Sequence, residues 1–331
     1  QSAEIGFQNA QNAASRGLLE ALKVWPALPG DAVTAVHDMR IHGDAAAGAL
    51  DFSAWQQTVE ALAWIVDAAE LDAALQAALR FAPHVHRVAG PVAADLVVWA
   101  DGKASSAPAE LGVKVQRHPY GHTAIVARLE ADRPHAHTAR QWFRSPDVLA
   151  LLPFDRPRHG HGFGLVWSLP TEEAKAMQAL ADEDFEARLA EATGAAAGRL
   201  RLAGPRVPWP LMLARAEPLC GAGWVLVGDA AHVVHPLAGQ GLNLGLADVI
   251  SLARVIAERE SWRSLGDEAL LRRHVRQRAW PTTAMASVTD GLLHLFASDH
   301  AVVRELRNRG MGLFNRLAPL KRLVTARALD A

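Results

Sequence analysis

Asp229 is the residue from which chemistry can first be argued. It sits in Gly228-Asp229-Ala230-Ala231-His232, just after the apolar run Trp224-Val225-Leu226-Val227. Pro236-Leu237-Ala238-Gly239-Gln240-Gly241-Leu242-Asn243 follows shortly. The branched run reads as a buried strand. The glycine and two alanines make a tight exit where backbone can approach a ligand, and the carboxylate can accept hydrogen bonds from hydroxyls or amides. Pro236 to Gly241 reads as a glycine-bearing loop that opens a helix from about Leu242 to Glu258. The first turn of such a helix offers unpaired N–H groups and the positive end of the helix dipole, which suits an anion. Strand, carboxylate, small-residue loop and helix start, in that order, describe a site for a polyhydroxylated, negatively charged cofactor.

These residues resemble the second FAD-binding motif of the aromatic-ring flavin monooxygenases, the p-hydroxybenzoate hydroxylase-like family, and most of all its ubiquinone-biosynthesis branch. The resemblance implies that Asp229 binds the ribityl chain near the pyrophosphate. It implies that Pro236, Leu237, Ala238, Gly239, Gln240 and Gly241 lie along the isoalloxazine, with the helix start at Leu242 and Asn243 stabilising charge on its pyrimidine edge. Gly228, Ala230 and His232 come with the motif as cofactor-binding positions. Ala100-Asp101-Gly102 with Ser105 resembles a second family element, whose Asp-Gly turn lies beneath the FAD. Taken alone, Asp101-Gly102 also fits a plain type I′ turn. Where that element carries Arg this chain has Pro108, which brings neither charge nor donor. The G-x-G-x-x-G turn that opens such flavoproteins does not occur in these residues. Its βαβ unit, about 30 residues, is expected either to have been trimmed, to have been left out of this sequence or to have been lost, and the residues at hand leave the adenine half of the cofactor without its main cradle.

The elements that must position these residues follow from periodicity. Residues 15–28 read as a short amphipathic helix, and Asp38 to Phe52 as a hairpin around Gly43-Asp44. Ala61 to Val66 is strand-like, and Asp67 to Leu79 is a helix with Asp67 as N-cap. Phe81 to Val98 reads as short strands, with Asp95 to Trp99 a buried strand ending in a turn. Tyr120 to Leu129, Ala139 to Phe154 and Phe163 to Leu169 read as strands of a second, antiparallel sheet. By resemblance, the apolar and aromatic faces of that sheet, Trp142 and Trp167 among them, lie over the flavin's reactive side. Helices are expected from Thr171, capped by Thr171 or Ser168, and over Asp182 to Ala192. Pro208-Trp209-Pro210-Leu211 resembles the family's crossover back toward the flavin. Further helices are read over Leu242–Glu258, Gly266–Arg278 and Thr282–Phe296.

The expected fold is thus α/β, α+β in part: a Rossmann-like three-layer FAD/NAD(P)-binding domain with an inserted antiparallel substrate sheet and C-terminal helices. The divisions are 1–37, 61–118 and 204–280 for the first, 38–60 and 119–203 for the second, and 281–331 for the third.

Composition narrows the function. The chain has 331 residues, half of them hydrophobic, and a formal net charge of −1. Length allows a substantial core, and the charge argues against a nucleic-acid partner. The single cysteine, Cys220, rules out an intrachain disulfide and fits a reducing compartment, with a small apolar filler as its role. From Asp299 to the end, seven Lys/Arg face three acids and are interleaved with apolar residues. That region reads either as a helix packed on its own domain with a solvated basic face or as a contact to a membrane surface or partner. The expected location is the cytoplasm, with peripheral contact at the membrane's inner face, and a homodimer is compatible with this reading.

Rival chemistries have weaker signals. His84/His86, His135/His137 and His159/His161 are H-x-H pairs and His232/His235 an H-x-x-H, yet none has Cys or carboxylates at ligand spacing, so no metal is assigned. Neither G-x-S-x-G nor a P-loop occurs. No catalytic side chain is assigned, because the cofactor would carry the reaction. The resemblance implies an FAD-dependent monooxygenase that hydroxylates an aromatic ring of a polyprenyl phenol or quinone precursor. NAD(P)H would be the reductant, oxygen the co-substrate and a flavin hydroperoxide the oxidant. A degenerate scaffold that serves as a non-catalytic accessory protein is the alternative, favoured by the absent fingerprint and by Pro108. A flavin halogenase or reductase on the same fold ranks lower, because W-x-W-x-I-P is absent.

Overall fold

Asp67 shows how local chemistry places an element. It ends strand β5 (Ala63–Asp67), and its carboxylate accepts the Ala69 N–H at 3.0 Å, capping helix α3 (Ala68–Arg80) as the sequence predicts. The computed structural model describes residues 8–43, 49–90, 92–144, 146–194, 196–233 and 241–279. Strand β5 lies between β1 (Gln8–Gln11) and β2 (Val33–Val36), antiparallel to both. Side chains alternate across this sheet. Trp64 and Val66 face α3 and helix α1 (Ala13–Ala21), in a cluster with Leu19 and Leu71. Ile65 faces the other way, against Ala139, Leu152 and Phe154 of the larger sheet.

Among the described residues that larger sheet runs in the order β15 (His232–Val233), β12 (Val207–Glu217), β7 (Lys114–Ala131), β10 (Gly162–Pro170), β9 (Val148–Phe154), β8 (Thr138–Phe143), β3 (Asp38–His42), β4 (Ala49–Ser53). A short β11 (Leu200–Leu202) also pairs with β7. The expected 38–52 hairpin is β3–β4, with Asp38 opposite Ser53. Strand β7 is 18 residues long and passes the boundary set at 118/119. Its pairing with β12 shifts register between Pro210 and Met212, where β7 carries Gly121 at φ +68°. Helices α5 (Thr171–Ala179) and α6 (Asp182–Thr193) cover one face of the sheet. Ionic ties cross between the two sheets: buried Asp67 receives Arg128 at 2.7 Å and Arg156 at 3.2 Å, and Arg156 also reaches Glu70 at 2.8 Å.

A third sheet pairs β13 (Cys220–Gly221) with β14 (Trp224–Leu226), and β14 in parallel with β6 (Val97–Trp99). Helix α7 (Gly241–Ala257) packs on it beside α8 (268–279). Short helices α2 (Ala54–Gln57) and α4 (Ala107–Glu110) complete the described elements.

Several local expectations are corrected. Residues 81–96 form no strand among those described, and β6 holds only Val97–Trp99. Val97 and Val98 are exposed rather than buried, because among the described residues β6 is the edge of its sheet. Helix α5 begins after Pro170 with no side-chain cap, so neither Thr171 nor Ser168 plays that part. Thr282–Phe296 and the basic region after Asp299 lie outside the described residues.

Candidate cofactor site

The site begins where β14 ends. Leu226 lies opposite Trp99 in the parallel pair, and the Val227 N–H donates to the Trp99 carbonyl at 3.0 Å. That register brings the two ends of the strands, Gly228-Asp229 and Asp101-Gly102, side by side. The chain then turns at Gly228, whose φ of +59° favours glycine, into a single tight turn over Gly228–Ala230. A Cβ at Gly245 of α7 would stand 3.3 Å from the Gly228 Cα, so glycines on both elements let turn and helix close on each other.

Asp229 projects from this turn. Its carboxylate makes no hydrogen bond or ion pair with the described residues. It stands at a shallow, open depression shared with Gly102, Lys103, Pro108, Met212 and His232. The protein crowded around it strips water from the charged form and raises its carboxyl above the ordinary range, against the pull of His232 and Lys103. The Lys103 ammonium stands 3.7 Å over the Trp209 ring. Gly241, the first residue of α7, starts a 17-residue helix whose first-turn amides have no intrahelical acceptor.

Other expected site residues have different work. His232 is buried with its Nε2 2.8 Å from Asp248 Oδ2, so its ring serves the protein interior rather than a ligand. The Asn243 amide is fully engaged: Oδ1 accepts the Asn12 N–H at 3.0 Å and Ser15 Oγ at 2.7 Å, and Nδ2 donates to the Ala10 carbonyl at 2.7 Å. It ties α7 to β1 and α1, leaving only its backbone for a ligand. Leu242 packs under α1 and α3 with Trp64, and Ala230 is buried in the turn. Trp142 and Trp167 are held inside the protein. Both lie in the apolar layer beneath α5 and α6, Trp167 edge-on to Phe185 with its Nε1–H donating to Asp147 at 2.6 Å. The opposite face of the sheet presents Ala124, Val126, Val166, Trp209 and Leu211. Pro236, Leu237, Ala238, Gly239 and Gln240 lie outside the described residues.

Sequence reasoning misses Asp248. It is 2% exposed, on the α7 face that also carries Leu244, Ser251, Leu252 and Val255. Its Oδ2 accepts the Gly228 N–H at 3.0 Å together with His232, and its Oδ1 accepts Arg278 Nε of α8 at 2.7 Å. Burial alone would raise this carboxyl; His232, Arg278 and the Gly228 amide outweigh it and hold it below the ordinary range. A signal for it does exist, a lone acid inside an apolar helix stripe, where a charge survives only with partners. Among the described residues no group of three or more His, Cys, Asp or Glu is placed to hold a metal, and no helix is long and apolar enough to cross a membrane.

A strand-end carboxylate with no partner among the described residues, on a turn beside a second glycine turn and packed against a long helix, belongs to an α/β protein. Residues 60–287 match the FAD binding domain family, and the chain belongs to it. It is similar to the ubiquinone hydroxylase UbiL of Rhodospirillum rubrum, 37% identical over 72% of this chain and 55% of the relative. It is also similar to the 3-demethoxyubiquinol 3-hydroxylase of Escherichia coli, 29% identical over 97% of this chain and 86% of that protein. The chain spans about half the length of the curated relatives it first matches. In fold it resembles the crystal structure of p-nitrophenol 4-monooxygenase PnpA from Pseudomonas putida, at a TM-score of 0.73, 15% identity and coverage of 96% of this chain and 86% of that one.

Proposed function

We propose that this chain is the body of an FAD-dependent monooxygenase that hydroxylates an aromatic ring, with a polyprenyl phenol or quinone precursor as substrate and NAD(P)H as reductant. The observation that carries the reading is the Asp229 carboxylate, unpartnered among the described residues, beside Gly102 on a turn packed against α7 at Gly245. Its two oxygens suit the hydroxyls of a ribityl chain. Gly228, Ala230 and Gly241 let the backbone come close, and the first-turn amides of α7 face the negative edge of a bound ring. FAD, when bound, supplies the oxygen-activating chemistry, so the protein's tasks are to hold the ring, orient the substrate and exclude water. Ala124, Val126, Val166, Trp209 and Leu211, on the sheet face away from α5 and α6, provide the apolar surface for those tasks. The names of the UbiL and Escherichia coli relatives support the ubiquinone branch. The basic region after Asp299 is assigned by the same reading to a membrane surface or a biosynthetic partner, and a homodimer is compatible with it.

The test is FAD uptake. Purified protein titrated with FAD should turn yellow and quench flavin fluorescence. Asp229→Ala should weaken binding by about 10- to 100-fold, the worth of hydrogen bonds to a charged acceptor, with an unchanged far-ultraviolet spectrum. Protein that stays colourless in excess FAD would select the accessory-scaffold alternative. With FAD bound, NAD(P)H oxidation should couple to ring hydroxylation when a prenylated phenol is added.

A further inference from the structure

We propose that Asp248 is the positioning residue of the cofactor site: one buried carboxylate ties the Gly228 turn, the His232 strand and the last described helix into a single register. This inference rests on the assignment of Gly228-Asp229 as a flavin-binding turn. The geometry gives the reason. Asp248 follows Gly245 by about one turn of α7. Gly245 lies against the Gly228 Cα, and Asp248 reaches back to the Gly228 amide from the same side of the helix. Gly228 N–H, Arg278 Nε–H and the His232 ring all converge on its two oxygens. Two of these partners are donors only, so they demand an acceptor at both oxygens. Arg278 also donates to the Leu244 carbonyl at 3.4 Å, which anchors α8 to the start of α7. Ser251 and His274, 3.1 Å apart, join the same two helices one turn further on. A glycine at positive φ has the widest conformational freedom of any residue, and with no side chain its backbone amide is the donor by which it can be held. Asp248 holds that donor, and the direction in which Asp229 projects follows from it.

Asp248→Asn is close to isosteric and tests the idea sharply. Its amide nitrogen must face either Gly228 N–H or Arg278, a donor against a donor. Two readouts are taken on the full chain: FAD affinity, and hydrogen exchange of the apoprotein over residues 227–233 compared with strands β9 and β10. The expected result is FAD binding weaker by about tenfold or more, with exchange faster at 227–233 and unchanged in β9 and β10. Unaltered affinity and unaltered local exchange would overturn the proposal, and so would a uniform rise in exchange with affinity intact, which marks a merely structural role. Should Asp248→Asn fail to fold, Arg278→Met leaves the carboxylate in place but unanchored; it should also speed exchange at 227–233, and no change there refutes the tether. Asp229→Ala separates the two ideas. If Asp229→Ala loses FAD while Asp248→Asn keeps it, the positioning role fails and the cofactor site stands; if the parent takes up no FAD, the cofactor reading fails and exchange alone judges Asp248.

Discussion

Two regions of this molecule exclude water with opposite materials. Beneath α5 and α6, Phe163, Leu165, Trp167, Phe185 and Leu189 form an apolar layer, with polar contacts such as Trp167–Asp147 and Thr193–Leu189 within it. Along α7, Asn243 with Asn12 and Ser15, and Asp248 with Gly228, His232 and Arg278, form two polar ties in which directed hydrogen bonds hold the elements together. The first is non-directional: burial stabilises it in proportion to area, and neighbours can shift at moderate cost. The second contributes little net stability per bond, yet each bond fixes a direction and a distance. The lesson is a division of labour, in which the apolar layer holds the fold together and the polar ties set the direction of the Gly228 turn.

That division can be broken experimentally. The largest effect should come from Phe163→Ala, which empties a fully buried site. It should cost about 3–5 kcal/mol in chemical denaturation, while FAD affinity measured where the protein remains folded changes by less than about threefold. A comparable loss of affinity would erase the distinction. Gly245→Val should act the other way. Its side chain would press on the Gly228 Cα, so about 1–3 kcal/mol of overpacking should appear together with weakened FAD binding, and retained affinity would show that the turn tolerates displacement.

The smallest effect is one of pH. Burial lowers the imidazole pKa of His135, His274 and His42 below the ordinary 6.5. The unfolded chain therefore takes up protons at a higher pH than the fold does. Stability should be full above about 6.5 and decline as pH falls from there toward the lowered folded values. Melting temperatures at pH 7.5 and 5.5 measure it, and a protein more stable at 5.5 would contradict the neutral, buried state of these rings.

Much of the architecture is legible in the sequence because local chemistry determines it. The Asp67 cap, the 38–52 hairpin and the apolar strand ending at Gly228 each follow from residues within one element. The faces of the large sheet are not legible, for a definite reason. On β10 both Phe163-Leu165-Trp167 and Gly164-Val166-Ser168 are largely buried, so no polar alternation marks which side meets helices and which a ligand. That ambiguity is why the sequence does not show that Trp142 and Trp167 pack beneath the helices. Residues 81–96 mislead in turn, since branched residues there suggest strands but the segment finds no pairing partner among the described residues. His232 and Asn243 read as ligand contacts because a motif names positions and cannot say which side chains the interior claims. Asp248 escapes notice because its partners, 20 and 30 residues away in sequence, meet it only in the folded chain.

One long strand joins the two regions. Strand β7 lies against β10 through Glu130 and against β12 back to Lys114, so both ends of one beam are clamped, by different neighbours. Bending such a beam anywhere along its paired length would rupture rungs of the ladder, except at Gly121, where the rungs already slip. The break in pairing at Gly121 therefore divides the ladder into two stretches, and restoring the register at that one point would make them a single span.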